Sequence, residues 1–404
     1  MPKHVHPSDV REASRLASTA VAGLTDLVEA LHATISAGPG ALAGPLPAST
    51  RGLTGLVYRG VREATRAAGS GADALLGRLV PLLEVPGSTP ERDAVLAALN
   101  GVLGDRLVAE ASPLATPMGL RHDGRPLVLE PGPLREAVPD ARSWILVLVH
   151  GLCMNERAWD RAGTAAAAPF ASLAAELGAT GLRLRYNSGL HVSRNGRALA
   201  DRLEALAASW PVPVERLSIV AHSMGGLVAR SAVHHGRAAG HAWSRALRDL
   251  VFLGTPHHGA PLERIGNVAQ AVLTGTPWSA PFARLGRLRS AGITDLRHGN
   301  LLDEDWEGRD RFGQRPDDRA VVPLPAGVRA FAIAGSLGPR PAEAARALRS
   351  DGLVPVESAL GHHAEPARSL PIPDGRRRVV FETGHLDLLS SPGVAAPVAD
   401  WLRG

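Results

Sequence analysis

The chain has 404 residues and a formal net charge of +5, and 45% of it is apolar, enough for a catalytic-sized domain plus an extension. A single cysteine, Cys153, excludes an intramolecular disulfide scaffold, and no apolar run reaches the ~18 residues needed to span a bilayer. Lys3 is the only lysine, so the positive charge is arginine; it is scattered among acids, which points to compositional bias and not to a nucleic-acid-binding face.

The N-terminal MPKHVHPSDVREASRL carries no apolar stretch of the secretory kind, so a cytoplasmic chain is expected, with peripheral contact to a membrane or lipid surface kept open. Residues 1–110 predict a helical region. Leu16, Val21, Leu24, Leu27, Val28, Leu31 and Ile35 recur at helical spacing, with Asp9 and Glu12 as a capping box. A Gly/Pro/Ala stretch over 37–49 interrupts them. Leu53, Leu56, Val57, Val61, Leu75, Leu76, Leu79 and Val80 form a second set. A third helix opens with Thr89 as cap and Pro90 in its first turn, and runs through Leu96, Leu99 and Leu103. Such stripes are normally core, so a bundle packed on the main domain is the simplest reading; lipid-surface contact is the functional alternative.

Beyond Leu103 strands alternate with helices. Asp123-Gly124 between Met118–Arg121 and Pro126–Leu129 is a hairpin signal. Trp144–Val149 (WILVLV) has the continuous apolar character of a buried parallel strand. A helix over Phe170–Leu177 closed by Gly178, a strand over Gly181–Tyr186 and a helix through Leu199, Leu203, Leu206 and Trp210 follow. Further strands are predicted at Leu217–Val220, Leu250–Leu253, Val328–Ala334 and Arg378–Glu382, with a helix from Gly225 onward and a closing one from Val394 to Leu402. This pattern predicts an α/β protein with a doubly wound, mostly parallel sheet over 111–404, and ligands at the carboxyl ends of its strands.

The segment LSIVAHSMGGLVAR, residues 217–230, carries the strongest chemical signal. A strand leads into Ala221-His222-Ser223-Met224-Gly225 and a helix leads out. The positions two before and two after the serine are small, as a nucleophile elbow requires, with Ala221 where glycine is usual. Ser223 then projects from a tight bend at the positive end of a helix.

With this elbow, the chain resembles the α/β-hydrolase superfamily, in its lipase-like branch that includes bacterial lipases and GPI-inositol deacylase-like proteins. The resemblance extends to LVLVHGLCMNERAW (146–159), FLGTPHHGAP (252–261), SDGLVPVES (350–358) and ETGHLDLL (382–389). It implies Ser223 as nucleophile, His385 as base and Asp351 as acid, in the family's chain order. Glu357 and Asp387 are reserve acids. It further implies an oxyanion hole from the backbone N–H groups of Leu152 and Met224. Cys153, beside that hole, is expected to be a packing residue.

The chain has 16 histidines, so a bare histidine carries little weight; His257, His258, His362 and His363 lack an H-E-x-x-H spacing and are expected to be structural. No cofactor or metal is implied. A segment of about 257–326, with Ile265, Val268, Val272 and Leu273 and then Trp278, Phe282, Leu285 and Leu288, is too long for a simple connection and predicts a helical cap insertion. The implied function is a serine hydrolase of carboxylic esters, acting on a small-molecule or lipid ester. Acyl transfer, thioester or amide cleavage on the same residues, or lipid-surface binding by the N-terminal helices, are the alternatives.

Overall fold

The computed structural model describes residues 90–161, 168–260, 290–310, 317–339 and 350–404. The first two predicted helical sets and the stripe over 265–288 lie outside them. Among the described residues the sheet is eight-stranded, in the order β2-β1-β4-β3-β5-β6-β7-β8. Its strands are β1 Gly119–His122, β2 Arg125–Pro126, β3 Trp144–Val149, β4 Thr180–Arg185, β5 Arg216–His222, β6 Leu247–Leu253, β7 Arg329–Ser336 and β8 Arg377–Phe381. Only β1 runs antiparallel, to both β2 and β4; β4, β3, β5, β6, β7 and β8 pair in parallel.

Side chains alternate across this sheet as a two-sided core demands. Ile145, Val147 and Val149 of β3, Ile219 and Ala221 of β5 and Leu250 and Phe252 of β6 face one layer. That layer contains helix α2, Val192–Ser209, and helix α3, Met224–Ala238. Leu146 and Leu148, Val220, and Val251 and Leu253 face the other, where Trp159, Phe170 and the closing helix Pro392–Arg403 pack. The hairpin turns on Asp123 and Gly124, both with positive φ, as a two-residue primed turn requires.

Charge is buried at the amino ends of the strands. Asp249 of β6, fully buried, accepts from Arg216 at 2.7 Å, Arg329 at 2.6 Å and Ser218 Oγ at 2.7 Å. With every lone pair engaged the arrangement is tolerable; removing one partner from such a group typically costs about 3–5 kcal/mol.

Helix α1, Pro90–Ala109, belongs to the N-terminal helical stretch in sequence but packs against the α/β domain. Asp93 takes the Arg185 guanidinium at 2.7 Å, and Arg185 also binds Glu156 at 2.5 Å. Burial works against the Arg185 charge, but the hydrogen bonds to Glu156 and Asp93 outweigh it and hold the group above its ordinary pKa. Further along, Gly104 sits so close to Asn187 that the Asn187 amide donates to its carbonyl at 3.0 Å.

The described parts of the predicted cap dock on the same helix. Ser290 Oγ donates to the Gly101 carbonyl at 2.6 Å, and the Ala291 N–H donates to Asp105 at 3.0 Å. Asp295, buried, accepts from the Val192 N–H at the start of α2 and lies 3.1 Å from His191 Nδ1, whose ring stacks on Trp306 at 3.7 Å. Among the described residues no helix is long and apolar enough to cross a membrane.

Candidate active site

Three strand ends bring the predicted residues together. Ser223 follows β5 directly. Its backbone, at φ 55° and ψ −127°, lies in a region that a residue with a Cβ adopts only under constraint. The constraint is visible: the Ser223 N–H donates to the Leu253 carbonyl at 2.8 Å, and the helix behind it begins at Met224. Ala221 is fully buried, and a Cβ on Gly225 would stand 2.5 Å from the His150 carbonyl oxygen. The small-residue requirement of the elbow is therefore steric and local.

His385 lies in the turn after β8, with its Nε2 2.8 Å from Ser223 Oγ and its Nδ1 2.7 Å from Asp351 Oδ2. All three residues are buried, with 4%, 7% and 3% of the surface of Ser223, His385 and Asp351 exposed, so the chain of hydrogen bonds is shielded from water. Asp351 cannot rotate away. Its Oδ1 accepts the N–H groups of Leu353 at 3.0 Å and Val354 at 2.8 Å, and its own carbonyl accepts the His385 N–H at 2.9 Å. The reserve acids are elsewhere occupied: Glu357 binds His362 at 2.7 Å, and Asp387 accepts the Gly384 N–H at 3.0 Å.

Gly254 follows β6 directly, and nothing in the sequence alone marks a role for it. Its N–H continues the sheet to the Ile333 carbonyl at 2.8 Å, its φ is +58°, and a Cβ there would meet Leu388 Cδ1 at 2.7 Å and both Asp351 Oδ2 and His385 Cε1 at 3.2 Å. Left-handed backbone and overpacking add here. Gly254→Ala is expected to lower stability by about 2–3 kcal/mol, measured from denaturant midpoints; an unchanged midpoint would contradict the packing described.

The turn after β3 lies against the elbow. A Cβ on Gly151 would come 3.0 Å from Ser223 Cβ. Leu152 follows, buried, and the Met224 N–H is among those that open a helix with no intrahelical acceptor. Tyr186 anchors this turn, donating its hydroxyl to the His150 carbonyl at 2.9 Å and stacking on the His150 ring at 4.3 Å. In the sequence Tyr186 is legible only as the last residue of a predicted strand, which ends at Arg185 in the structure, and the contact depends on the β3–β4 register. Burial pushes the His150 imidazole down to about 4, so it stays neutral.

Cys153 sits beyond the turn with φ 58° and its N–H on Ser188 Oγ at 3.0 Å. Burial pushes its thiol up to about 12, away from any thiolate chemistry. Of the other histidines, His257 is buried with its Nδ1 3.4 Å from Arg230 Nη1, and the His258 and His363 rings lie 4.9 Å apart. Among the described residues no three His, Cys, Asp or Glu side chains converge to hold a metal.

Residues 143–322 match the family described as PGAP1-like alpha/beta domain. Similar solved structures include a lipase of Bacillus licheniformis in its mature form, 18% identical over 64% of this chain and 91% of that one, with a TM-score of 0.40. Lipase B of Aspergillus fumigatus is 11% identical over 71% of this chain and 56% of that one, with a TM-score of 0.41. The phospholipase PlaB of Legionella pneumophila is 14% identical over 65% and 60%, with a TM-score of 0.39. No curated relative matches the sequence. The mostly parallel sheet in this strand order, with its strand–elbow–helix at Ser223, is the arrangement of the α/β-hydrolase fold, and the residues that match the PGAP1-like alpha/beta domain include its central strands β3 to β6.

Proposed function

We propose that this protein is a serine hydrolase that cleaves carboxylic esters through a covalent acyl-enzyme on Ser223. The observation that carries this reading is the unbroken chain from Ser223 Oγ through His385 to Asp351, at 2.8 and 2.7 Å. A serine hydroxyl is a weak nucleophile until a base takes its proton. His385 Nε2 is within hydrogen-bond reach, and it can accept only if the ring proton sits on Nδ1. Asp351 Oδ2, an acceptor, fixes that tautomer.

In the proposed reaction Ser223 Oγ bonds to the ester carbonyl carbon as its proton passes to Nε2. The N–H groups of Met224 and Leu152 take the oxygen that becomes negative. On collapse of the tetrahedral species, the His385 imidazolium returns the proton to the departing alkoxide. Water then repeats the sequence on the acyl-enzyme and releases the acid. Asp351 stays ionised and offsets the imidazolium charge throughout. The described cap residues and helix α1, packed on one another, are proposed as the fixed frame beside the acyl-binding cleft.

The test is labelling of the folded protein with a fluorophosphonate, followed by peptide mapping and a p-nitrophenyl ester series of increasing acyl length. Modification at Ser223 with loss of fluoride is expected, together with turnover of the p-nitrophenyl esters. Absence of adduct, or an adduct on another serine, would defeat the proposal.

A further inference from the structure

The residue immediately before the nucleophile is used for something other than the turn. His222 is the last residue of β5 and is fully buried, on the same sheet face as Val220. Strand alternation thereby carries its ring to the layer in which Leu388 and Leu389, just past His385, are packed. Its Nε2 lies 3.0 Å from the backbone carbonyl oxygen of His385, and the two rings are 4.7 Å apart, tilted by 45°.

A carbonyl oxygen only accepts, so Nε2 of His222 carries the ring proton. Nδ1 of the neutral ring then bears a lone pair. It has no partner among the described residues, and it lies 3.1 Å from where a Cβ on Gly151 would stand. The His385 peptide is therefore held from both sides: its N–H by the Asp351 carbonyl at 2.9 Å, its C=O by His222. The second of these bonds joins the main chain of the proposed base to the residue covalently next to the proposed nucleophile.

We infer that His222 is a positioning residue: a neutral Nε2–H imidazole that ties the histidine loop to the elbow and so fixes the His385 Nε2 to Ser223 Oγ separation. The inference rests on the Ser223–His385–Asp351 reading, because a fixed separation matters only if a proton crosses it. Two further facts agree with it. Burial, and after it the neighbouring His385, holds the His222 ring well below its ordinary pKa, so a second positive charge does not compete with the His385 imidazolium formed in turnover. No other side-chain hydrogen bond to the His385 carbonyl is found among the described residues.

The experiment compares His222→Phe, which keeps a ring but removes the donor, with His222→Gln, whose amide nitrogen can reach the place of Nε2. His222→Phe is expected to lose about 10²-fold in kcat, the cost of a displacement near 1 Å at the reacting atoms, with KM for a short p-nitrophenyl ester little changed. His222→Gln is expected to stay within about tenfold of the parent. Loss of KM and kcat together, or equal loss in both variants at equal thermal stability, would overturn the positioning role. If the Phe variant fails to fold, the unmodified protein still decides: nitrogen-15 imidazole NMR at pH 7 should show one histidine as the neutral Nε2–H tautomer that disappears in His222→Gln. A protonated ring or an Nδ1–H tautomer for His222 would sink the inference. Failure of the triad reading is separate, since it would appear as full turnover in a variant lacking the Ser223 hydroxyl.

Discussion

Ser223→Ala is expected to reduce kcat by about 10⁶-fold, the scale on which removal of one member disables a triad that works as a unit. Residual turnover of about 10³–10⁴-fold over water should persist, because the two backbone N–H groups assigned to the oxyanion do not depend on the serine hydroxyl. KM should hardly move, since the lost atom bonds to the substrate only after binding. The fold should survive: the Ser223 N–H bond to Leu253 is made by the main chain and remains in the alanine variant. Alanine also keeps the Cβ, and with it the strain of φ 55°. Ser223→Gly relieves that strain and should be equally inactive yet more stable than Ser223→Ala by about 1–3 kcal/mol. Ester kinetics and urea melts on the three proteins check both statements. Retained kcat in the alanine variant would move the chemistry to another residue, and a glycine variant no more stable would mean that the elbow stores no strain.

Most of the sheet was legible because its strands differ in texture. The run WILVLV ends at the predicted residues, Trp144–Val149, since a strand covered on both faces has no polar position to blur its limits. Two of the elements that ran differently do so because polar groups are buried. Strand β6 begins at Leu247, three residues before the predicted start, because Arg248 and Asp249 read as exterior; Asp249 is buried by partners from β5 and β7 that no local pattern reveals. Helix α2 likewise begins at Val192, where Ser193 and Asn195 are buried on Asp303 and on the Asn187 carbonyl. The predicted helix over Phe170–Leu177 contracts to Leu173–Glu176, its front taken by turns, although Gly178 closes it at φ +69° as expected. Strand β2 stops at Pro126, which has no N–H to donate, and Val128 beyond it is half exposed on an edge.

The site was readable in proportion to how local its signals are. Ser223 is announced by fourteen consecutive residues, whereas Tyr186, Gly254 and the donor role of His222 exist only once strands β3 to β8 are in register. Asp351 falls between these cases. It is far from β7 in sequence but near it in space: the Leu337 N–H donates to the Ser350 carbonyl at 3.0 Å, and Ser350 bridges to Pro355. A long insertion in a loop costs little closure entropy when its two ends are pinned side by side, so Asp351 stays at the strand end.

That pinning makes Asp351→Asn a sharp test of the proposed acid. Asp351 Oδ1 accepts two backbone N–H groups, from Leu353 and Val354, while Oδ2 faces His385 Nδ1. In the asparagine variant the amide oxygen has to remain on the two N–H donors, because an NH₂ there would set donor against donor. The NH₂ group then takes the Oδ2 position and points a donor at Nδ1. His385 can accept it only by moving its own proton to Nε2, the atom that must receive the Ser223 proton. The loop stays folded and the base holds the wrong tautomer, so kcat is expected to fall by about 10⁴-fold with thermal stability nearly unchanged. Asp351→Ala should fall as far in activity and in addition lose about 1–3 kcal/mol, since it leaves two N–H groups without acceptors. Glu357→Gln and Asp387→Asn, whose carboxylates are engaged with His362 and the Gly384 N–H, should each remain within about tenfold of the parent, less than one proton-transfer partner is worth. Steady-state ester kinetics on the four variants separate the cases: an Asp351→Asn enzyme within tenfold of the parent, beside a crippled Glu357→Gln or Asp387→Asn, would transfer the acid's role to that other carboxylate.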